Sequence, residues 1–173
     1  MYFMRHGQSV FNAMEGCSGT DPNFPDACLS DLGHKQASKA AKGLVDREFK
    51  HIVTSPYTRA IETGLIVAAA LDLSVEVEPL IGERRLYSCD VGTPASQLMK
   101  DWPQVDFNDF SGESWWLPFP ESAQDLQRRV RDFEAKWIGH QDWRKTLFVS
   151  HYYFINAATG ATPQNTEIAV WEG

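Results

Sequence analysis

Short apolar runs alternate with helix-period patterns along the 173 residues. Tyr2 to Arg5 reads as a strand, about Ser30 to Phe49 as a helix, His51 to Thr54 as a strand and about Pro56 to Leu73 as a helix. The alternation resumes with Ser74 to Glu78 as a strand, Ser122 to Ile138 as a helix, and Thr146 to Ser150 and Ile168 to Trp171 as strands. Such an order predicts an α/β fold with a mostly parallel central sheet and helices on both faces. Local chemistry agrees with the boundaries. Ser55-Pro56 offers an N-cap hydroxyl before a proline at the first helical position, and Ser122 with Asp125 has the spacing of a capping box. In the first long helix Leu32, Ala40, Leu44 and Val45 fall near one face, which is expected to pack on the sheet.

Two stretches break the pattern. Asn12 to Cys28, with Gly16, Gly19, Pro22 and Pro25, reads as a long loop, and residues 80–120, rich in Pro, Gly and Trp, read as a lid-like insertion. Long irregular segments in compact domains usually bind ligands or cover sites, so both are expected to wall a site above the sheet's carboxyl edge. Trp115 and Trp116, beside Pro118 and Phe119, are either an aromatic wall that selects ring-bearing ligands or the packing of the lid onto the body.

Composition narrows the class. With 43% hydrophobic and 23% charged residues and no apolar stretch near the roughly 18 residues of a membrane span, residues 1–173 are expected to form a single domain with no membrane partner. Nothing at the N-terminus resembles a targeting segment; the few residues before Arg5 read as a trimmed or alternative start. Net charge is -7 without a block of like charge. Arg128, Arg129 and Arg131 alternate with Asp125, Asp132 and Glu134 as in a solvated, salt-bridged helix face, so nucleic acid is not an expected partner. Cys17, Cys28 and Cys89 are odd in number and far apart, which suits neither disulfides nor zinc and fits a cytoplasmic location.

The candidate chemistry sits where two strands stop. Tyr2-Phe3-Met4 runs into Arg5-His6-Gly7, and Thr146-Leu147-Phe148-Val149-Ser150 runs into His151. An open α/β sheet presents its site at the carboxyl ends of strands. Neutral imidazole can attack phosphorus near neutral pH, which makes His6 the candidate nucleophile. The charge on a transferring phosphoryl group calls for fixed positive donors, for which Arg5, Arg59 and His151 are candidates; His151 alone would read as a core histidine. Asn12 either reaches the same oxygens or caps its loop. An alkyl leaving group needs a proton, and Glu83, at the end of the run Pro79-Leu80-Ile81-Gly82, is the candidate acid, with a pKa raised by partial desolvation. Glu113 and Glu121 compete for that role, Glu121 as a positional residue and Glu113 as an exposed one.

Taken in order, these motifs resemble the histidine phosphatase superfamily in its phosphoglycerate-mutase-like branch. Arg5-His6-Gly7-Gln8-Ser9-Val10-Phe11-Asn12 is similar to its Arg-His-Gly-x-Ser-x-x-Asn signature. Asp26, Leu29, Ser30, Gly33, Gln36 and Ala37 resemble its next stretch, and Ser55-Pro56-Tyr57-Thr58-Arg59-Ala60 its Ser-Pro-x-x-Arg-Ala helix start, with Glu83, Glu121-Ser122 and Ser150-His151 completing the set. The resemblance implies a three-layer α/β sandwich, a phosphohistidine intermediate on His6, a phosphate pocket from Arg5, Asn12, Arg59 and His151, Glu83 as proton donor, and no metal or other cofactor. The implied activity is metal-independent hydrolysis of a small phosphorylated substrate. A phosphoglycerate-mutase-type phosphotransferase and a noncatalytic module binding a phosphorylated ligand or a protein are the alternatives. Tyr152 stands where the family commonly has glycine, which narrows the pocket, and the absence of aspartate there argues against the acid phosphatase branch. The chain is shorter than cofactor-dependent mutases, which favours hydrolysis. Oligomeric state is not legible.

Overall fold

The computed structural model describes residues 1–18, 21–107, 110 and 112–172. Its strands are β1 (Tyr2–Arg5), β2 (His51–Thr54), β3 (Val75–Val77), β4 (Val105–Asp106), β5 (Thr146–Ser150) and β6 (Ile168–Val170). They form one sheet in the order β4-β3-β2-β5-β1-β6, parallel throughout except for β6, which runs antiparallel to β1. The helices are α1 (Val10–Ser18), α2 (Asp31–Lys42), α3 (Thr58–Leu71), α4 (Ala95–Asp101), α5 (Ala123–Trp137) and α6 (Tyr152–Thr159).

The period of two along each strand sends neighbouring side chains to opposite faces, and this divides the core into two layers. Met4, Ile52, Leu147 and Val149 pack with Ala41 of α2, with Leu44 just beyond it, and with Ala60, Ile61 and Val67 of α3. Phe3, Val53 and Phe148 pack on the other face with Leu126, Val130 and Phe133 of α5 and Phe154 of α6. The Phe133 ring meets Phe148 edge-on with centroids 5.0 Å apart and Phe154 at 5.6 Å, so aromatic contacts fix the second layer. The result is the three-layer α/β sandwich implied by the sequence. The chain leaves β1 toward the α2 face and leaves β5 toward the α6 face. A crevice therefore opens between two adjacent parallel strands at their carboxyl ends, the position at which open α/β sheets bind ligands.

Several expectations need correction. The stretch from Asn12 is not all loop: α1 begins at Val10, and its start is held reciprocally by Ser9, whose Oγ accepts from Asn12 N (3.1 Å) while Asn12 Oδ1 accepts from Ser9 N (3.2 Å). Gly19, placed in that loop from sequence, lies outside the described residues. Helix α2 stops at Lys42, and it buries Gly33, Ala37 and Ala41, whereas Leu32 and Val45 are exposed. The small side chains win that face because α2 packs closely on α3 and on the chain after β1. Helix α3 starts at Thr58, not at Pro56, and its first N–H is capped across space by Asp26 Oδ1 at 2.9 Å. Residues 80–120 are only partly irregular, since α4 lies within them and β4 extends the sheet. Helix α6, the turn Pro79–Ile81 and the turn Ser88–Asp90 were not legible as elements. No helix among the described residues is long and apolar enough to cross a membrane.

Two backbone segments approach closely beside His6. A Cβ built on Gly33 would fall 2.1 Å from Gln8 O, and one on Gly7 would fall 2.7 Å from Gly33 O. Both distances are far inside contact, so the chain after β1 and the first turn of α2 must separate if either glycine gains a side chain. Gly33→Ala is expected to cost about 2 kcal/mol of stability, read as a lowered urea midpoint with an unchanged m-value.

Candidate active site

Arg5 pairs with Ser150 across β1 and β5, so the next residue on each strand is a histidine. His6 N donates to Ser150 O at 3.0 Å, and the two imidazole rings lie 5.0 Å apart between centroids. His6 Nδ1 is 2.6 Å from Gly7 O. A carbonyl can only accept, so Nδ1 carries the proton and Nε2 keeps the lone pair. Burial, reinforced by the charges of Arg59 and Arg5 and opposed by the Gly7 contact, holds the His6 pKa well below its ordinary 6.5. The ring is therefore neutral at pH 7.

The motif residues around His6 hold its loop. Gly7 N donates to Thr63 Oγ1 (3.0 Å), Gln8 N to Gln36 Oε1 (2.8 Å), Ser30 Oγ to Gln8 Oε1 (2.8 Å) and Asn165 Nδ2 to His6 O (3.0 Å). Asp26 ties three segments together: it accepts from the backbone and hydroxyl of Thr58 and from the hydroxyl of Thr93, the last at 2.6 Å.

A cavity of about 260 Å³ opens over this loop, lined among others by Arg5, His6, Asn12, Arg59 and Glu83. His151 does not line it. That residue is fully buried behind His6, with Nε2 2.5 Å from Ser55 Oγ and Nδ1 without a hydrogen-bond partner. Ser55 Oγ also accepts from Tyr57 N at 3.3 Å, so the hydroxyl expected to cap α3 serves the start of that helix and His151 together. Burial and the Arg59 charge depress the His151 pKa as they do that of His6. Asn12 Oδ1 closes the start of α1, which bears out the capping reading, and the residue also lines the cavity. Arg5 Nη1 donates to Pro163 O at 3.0 Å, and its guanidinium lies 5.2 Å from the Tyr152 ring centroid.

Arg59 brings a partner that sequence reasoning missed. Buried to 3% exposure, it donates to Cys89 O (2.9 Å) and pairs with Asp90 Oδ1 (3.2 Å). Asp90 is itself buried and lines the cavity; its Oδ2 accepts from Leu86 N (3.0 Å) and Tyr87 N (2.9 Å). No local pattern around Asp90 marks it, because the partner is 31 residues away.

Glu83 is half-buried and accepts from Arg84 N (2.8 Å) and Tyr153 N (3.1 Å). Burial first, then the nearby Asp90 charge, raise its pKa to about 7. The backbone beneath it is clamped by Arg129, which donates to Leu80 O and Gly82 O at 2.7 Å each and pairs with Glu121 Oε2 at 2.8 Å. Arg129 is thus buried, not part of a solvated face. Arg128 does stay exposed, paired with Asp125 at 2.8 Å. Glu121 does not reach the cavity, and Glu113 is exposed, accepting from Ser96 N. Neither tryptophan forms a wall of the cavity. Trp115 donates to Thr93 O at 2.8 Å and meets Tyr57 edge-on at 4.8 Å, which seats the 110–120 segment on the body.

Fold and site point to the histidine phosphatase superfamily. Residues 1–170 match the histidine phosphatase superfamily (branch 1), and the chain belongs to that family. A probable phosphoglycerate mutase of Yersinia enterocolitica is 28% identical over 152 residues, covering 87% of this chain and 68% of the relative. An uncharacterized protein of Mycobacterium tuberculosis is 31% identical over 155 residues, covering 87% and 72%. Among solved structures, a mycobacterial glucosyl-3-phosphoglycerate phosphatase complexed with VO3 superposes with a TM-score of 0.68 at 22% identity, covering 97% of this chain and 88% of that one. The ecdysone phosphate phosphatase from Bombix mori gives 0.64 at 16% identity, covering 92% and 75%. At these identities the two structures share the fold.

Removing the Arg59 guanidinium strands a buried carboxylate. Arg59→Ala is expected to lower stability by about 3 kcal/mol, and Asp90→Asn in the same chain to restore much of it by removing the unpaired charge. If the double variant is no more stable than Arg59→Ala in urea melts, the ion pair is not what the arginine supports.

Proposed function

We propose that this chain is a metal-independent phosphatase that hydrolyses small phosphomonoesters through a phosphohistidine on His6. The observation that carries the reading is the neutral His6 ring, its proton held on Nδ1 by Gly7 O and its other nitrogen unprotonated, on the same cavity as a carboxyl group with a pKa near 7. Nε2 attacks phosphorus, the P–N bond forms, the ester P–O bond breaks, and Glu83 gives its proton to the departing alkoxide. Water then attacks the phosphohistidine while the Glu83 carboxylate takes its proton, which restores both groups. Arg5 and Arg59 supply fixed positive charge to the equatorial oxygens, Asn12 adds an amide donor, and His151 supports His6 from behind.

The second reading, a mutase, is favoured by the relatives named as probable phosphoglycerate mutases. It requires the phosphohistidine to outlast water in the site. Phosphoglycerate isomerised faster than it loses phosphate would establish the mutase and remove the hydrolase.

His6→Ala is expected to fold normally and to lose turnover of an activated aryl phosphate measured with chelator present throughout. Quenching the wild type during turnover of a radiolabelled ester should trap an acid-labile, base-stable label on the chain, absent from His6→Ala. Label on any other residue removes His6 from the nucleophile's role.

The pH dependence follows from the two shifted groups. Glu83 must be protonated to act as acid, and its raised pKa keeps it so up to about 7. For an alkyl phosphate, kcat/KM expressed per substrate dianion should therefore fall about tenfold per pH unit above that point. His6 must be neutral, and its depressed pKa places the acidic fall well below 6.5. In Glu83→Gln the upper fall should vanish and alkyl esters should lose about 100-fold, with activated aryl esters losing far less. A profile whose upper limb persists in Glu83→Gln assigns that limb to another group.

A further inference from the structure

The cavity has two chemically distinct ends. Its floor is buried, with His6 and Arg59 each 3% exposed, whereas its mouth carries Tyr87, 37% exposed, and the half-buried Tyr152 and Tyr153. Tyr87 is backed by Phe11 at 5.9 Å, and Tyr152 meets Tyr153 edge-on at 5.3 Å, so the rings are held by neighbours rather than free to swing away. Around the floor, Arg5 and Arg59 are the lysine or arginine side chains among the described lining residues, and Arg59 is already paired with Asp90. With Glu83 protonated, the lining carries two positive charges and one negative. That single excess charge faces a phosphate dianion. A second anionic group on the substrate would compete with the phosphate for those two guanidiniums, of which Arg59 is already held by Asp90 and Arg5 lies over the Tyr152 ring.

Resting on the phosphatase reading, we propose that the substrate class is a phosphomonoester whose alcohol portion is an uncharged ring, stacked between Tyr87 and Tyr152 at the mouth, and not a phosphorylated carboxylic acid or a bisphosphate. The volume of about 260 Å³ is near the lower end of small-molecule sites, which suits a phosphate with one or two rings. Tyr152 occupies the position at which the sequence pattern commonly has glycine, so this chain supplies a ring surface at that place. The aromatic selectivity that the sequence suggested for Trp115 and Trp116 is thereby reassigned to tyrosines from two other segments.

The test compares esters of closely similar primary alcohols, so that leaving-group chemistry does not decide the outcome. Benzyl phosphate should exceed ethyl phosphate in kcat/KM by about tenfold, and 4-carboxybenzyl phosphate should fall below benzyl phosphate by a similar factor. In Tyr152→Ala, and separately in the more exposed Tyr87→Ala, the benzyl-to-ethyl ratio should shrink toward one, with circular dichroism melts confirming that each variant is folded. Tyr152→Phe should keep the ratio, because the ring face and not the hydroxyl makes the contact. Equal turnover of benzyl and ethyl phosphate, or undiminished turnover of the carboxylated ester, overturns the substrate class while leaving the phosphatase intact. Isomerisation of phosphoglycerate with no hydrolysis of any ester removes the phosphatase reading itself, and the substrate class with it.

Discussion

Arg5 lies opposite Ser150 on two parallel strands, and the positions of His6 and His151 follow from that register one residue further on. A slip of β1 by one residue against β5 would turn Phe3 toward the α2 face and Met4 toward the α5 face, breaking both layers of the core together. The aromatic packing of Phe133, Phe148 and Phe154 thus does more than stabilise one face. It fixes which residues stand at the strand ends, and hence which side chains meet above the sheet.

Desolvation then assigns protonation states. His6 and His151 are kept neutral by burial and by the arginines around them, and Glu83 is kept protonated to about pH 7 by burial and by Asp90. One low-dielectric environment pushes an imidazole down and a carboxyl up, so a neutral imidazole and a protonated carboxyl coexist at the same pH. Asp90 serves two ends in this arrangement. It balances Arg59 deep in the cavity floor, and its charge helps hold the proton on Glu83. The ion pair holds the guanidinium in place at the cavity.

The supports of the site are distributed through the chain. Gly7 and Gly33 permit two backbone segments to touch, Asp26 joins the start of α3 to Thr93, and Arg129 grips the Leu80 and Gly82 carbonyls and Glu121 around the Glu83 turn. The Arg129 contacts also satisfy a guanidinium and a carboxylate that burial would otherwise leave unpaired. The common effect of these supports is to fix the backbone on which His6 and Glu83 sit, so the geometry of the reacting groups depends on residues that touch no substrate.

Local pattern alone was enough to place β1, β2, β5, α3 and α5, because alternation and helical periodicity act over neighbours, and the histidines announce themselves where apolar runs stop. The reciprocal Ser9–Asn12 cap was readable too, three residues apart, although the glycines and prolines after it disguised α1 as loop. Other features were beyond local pattern. Burial of Arg129, the pairing of Arg59 with Asp90, the retreat of His151 behind His6 and the placing of Tyr87 and Tyr152 at one mouth each join residues far apart in the chain. The sequence by itself determined most of the strands, the parallel α/β order and the candidate residues for phosphoryl chemistry. Only the tertiary structure decided their charges, partners and exposure, because those depend on which distant segments exclude water from one another.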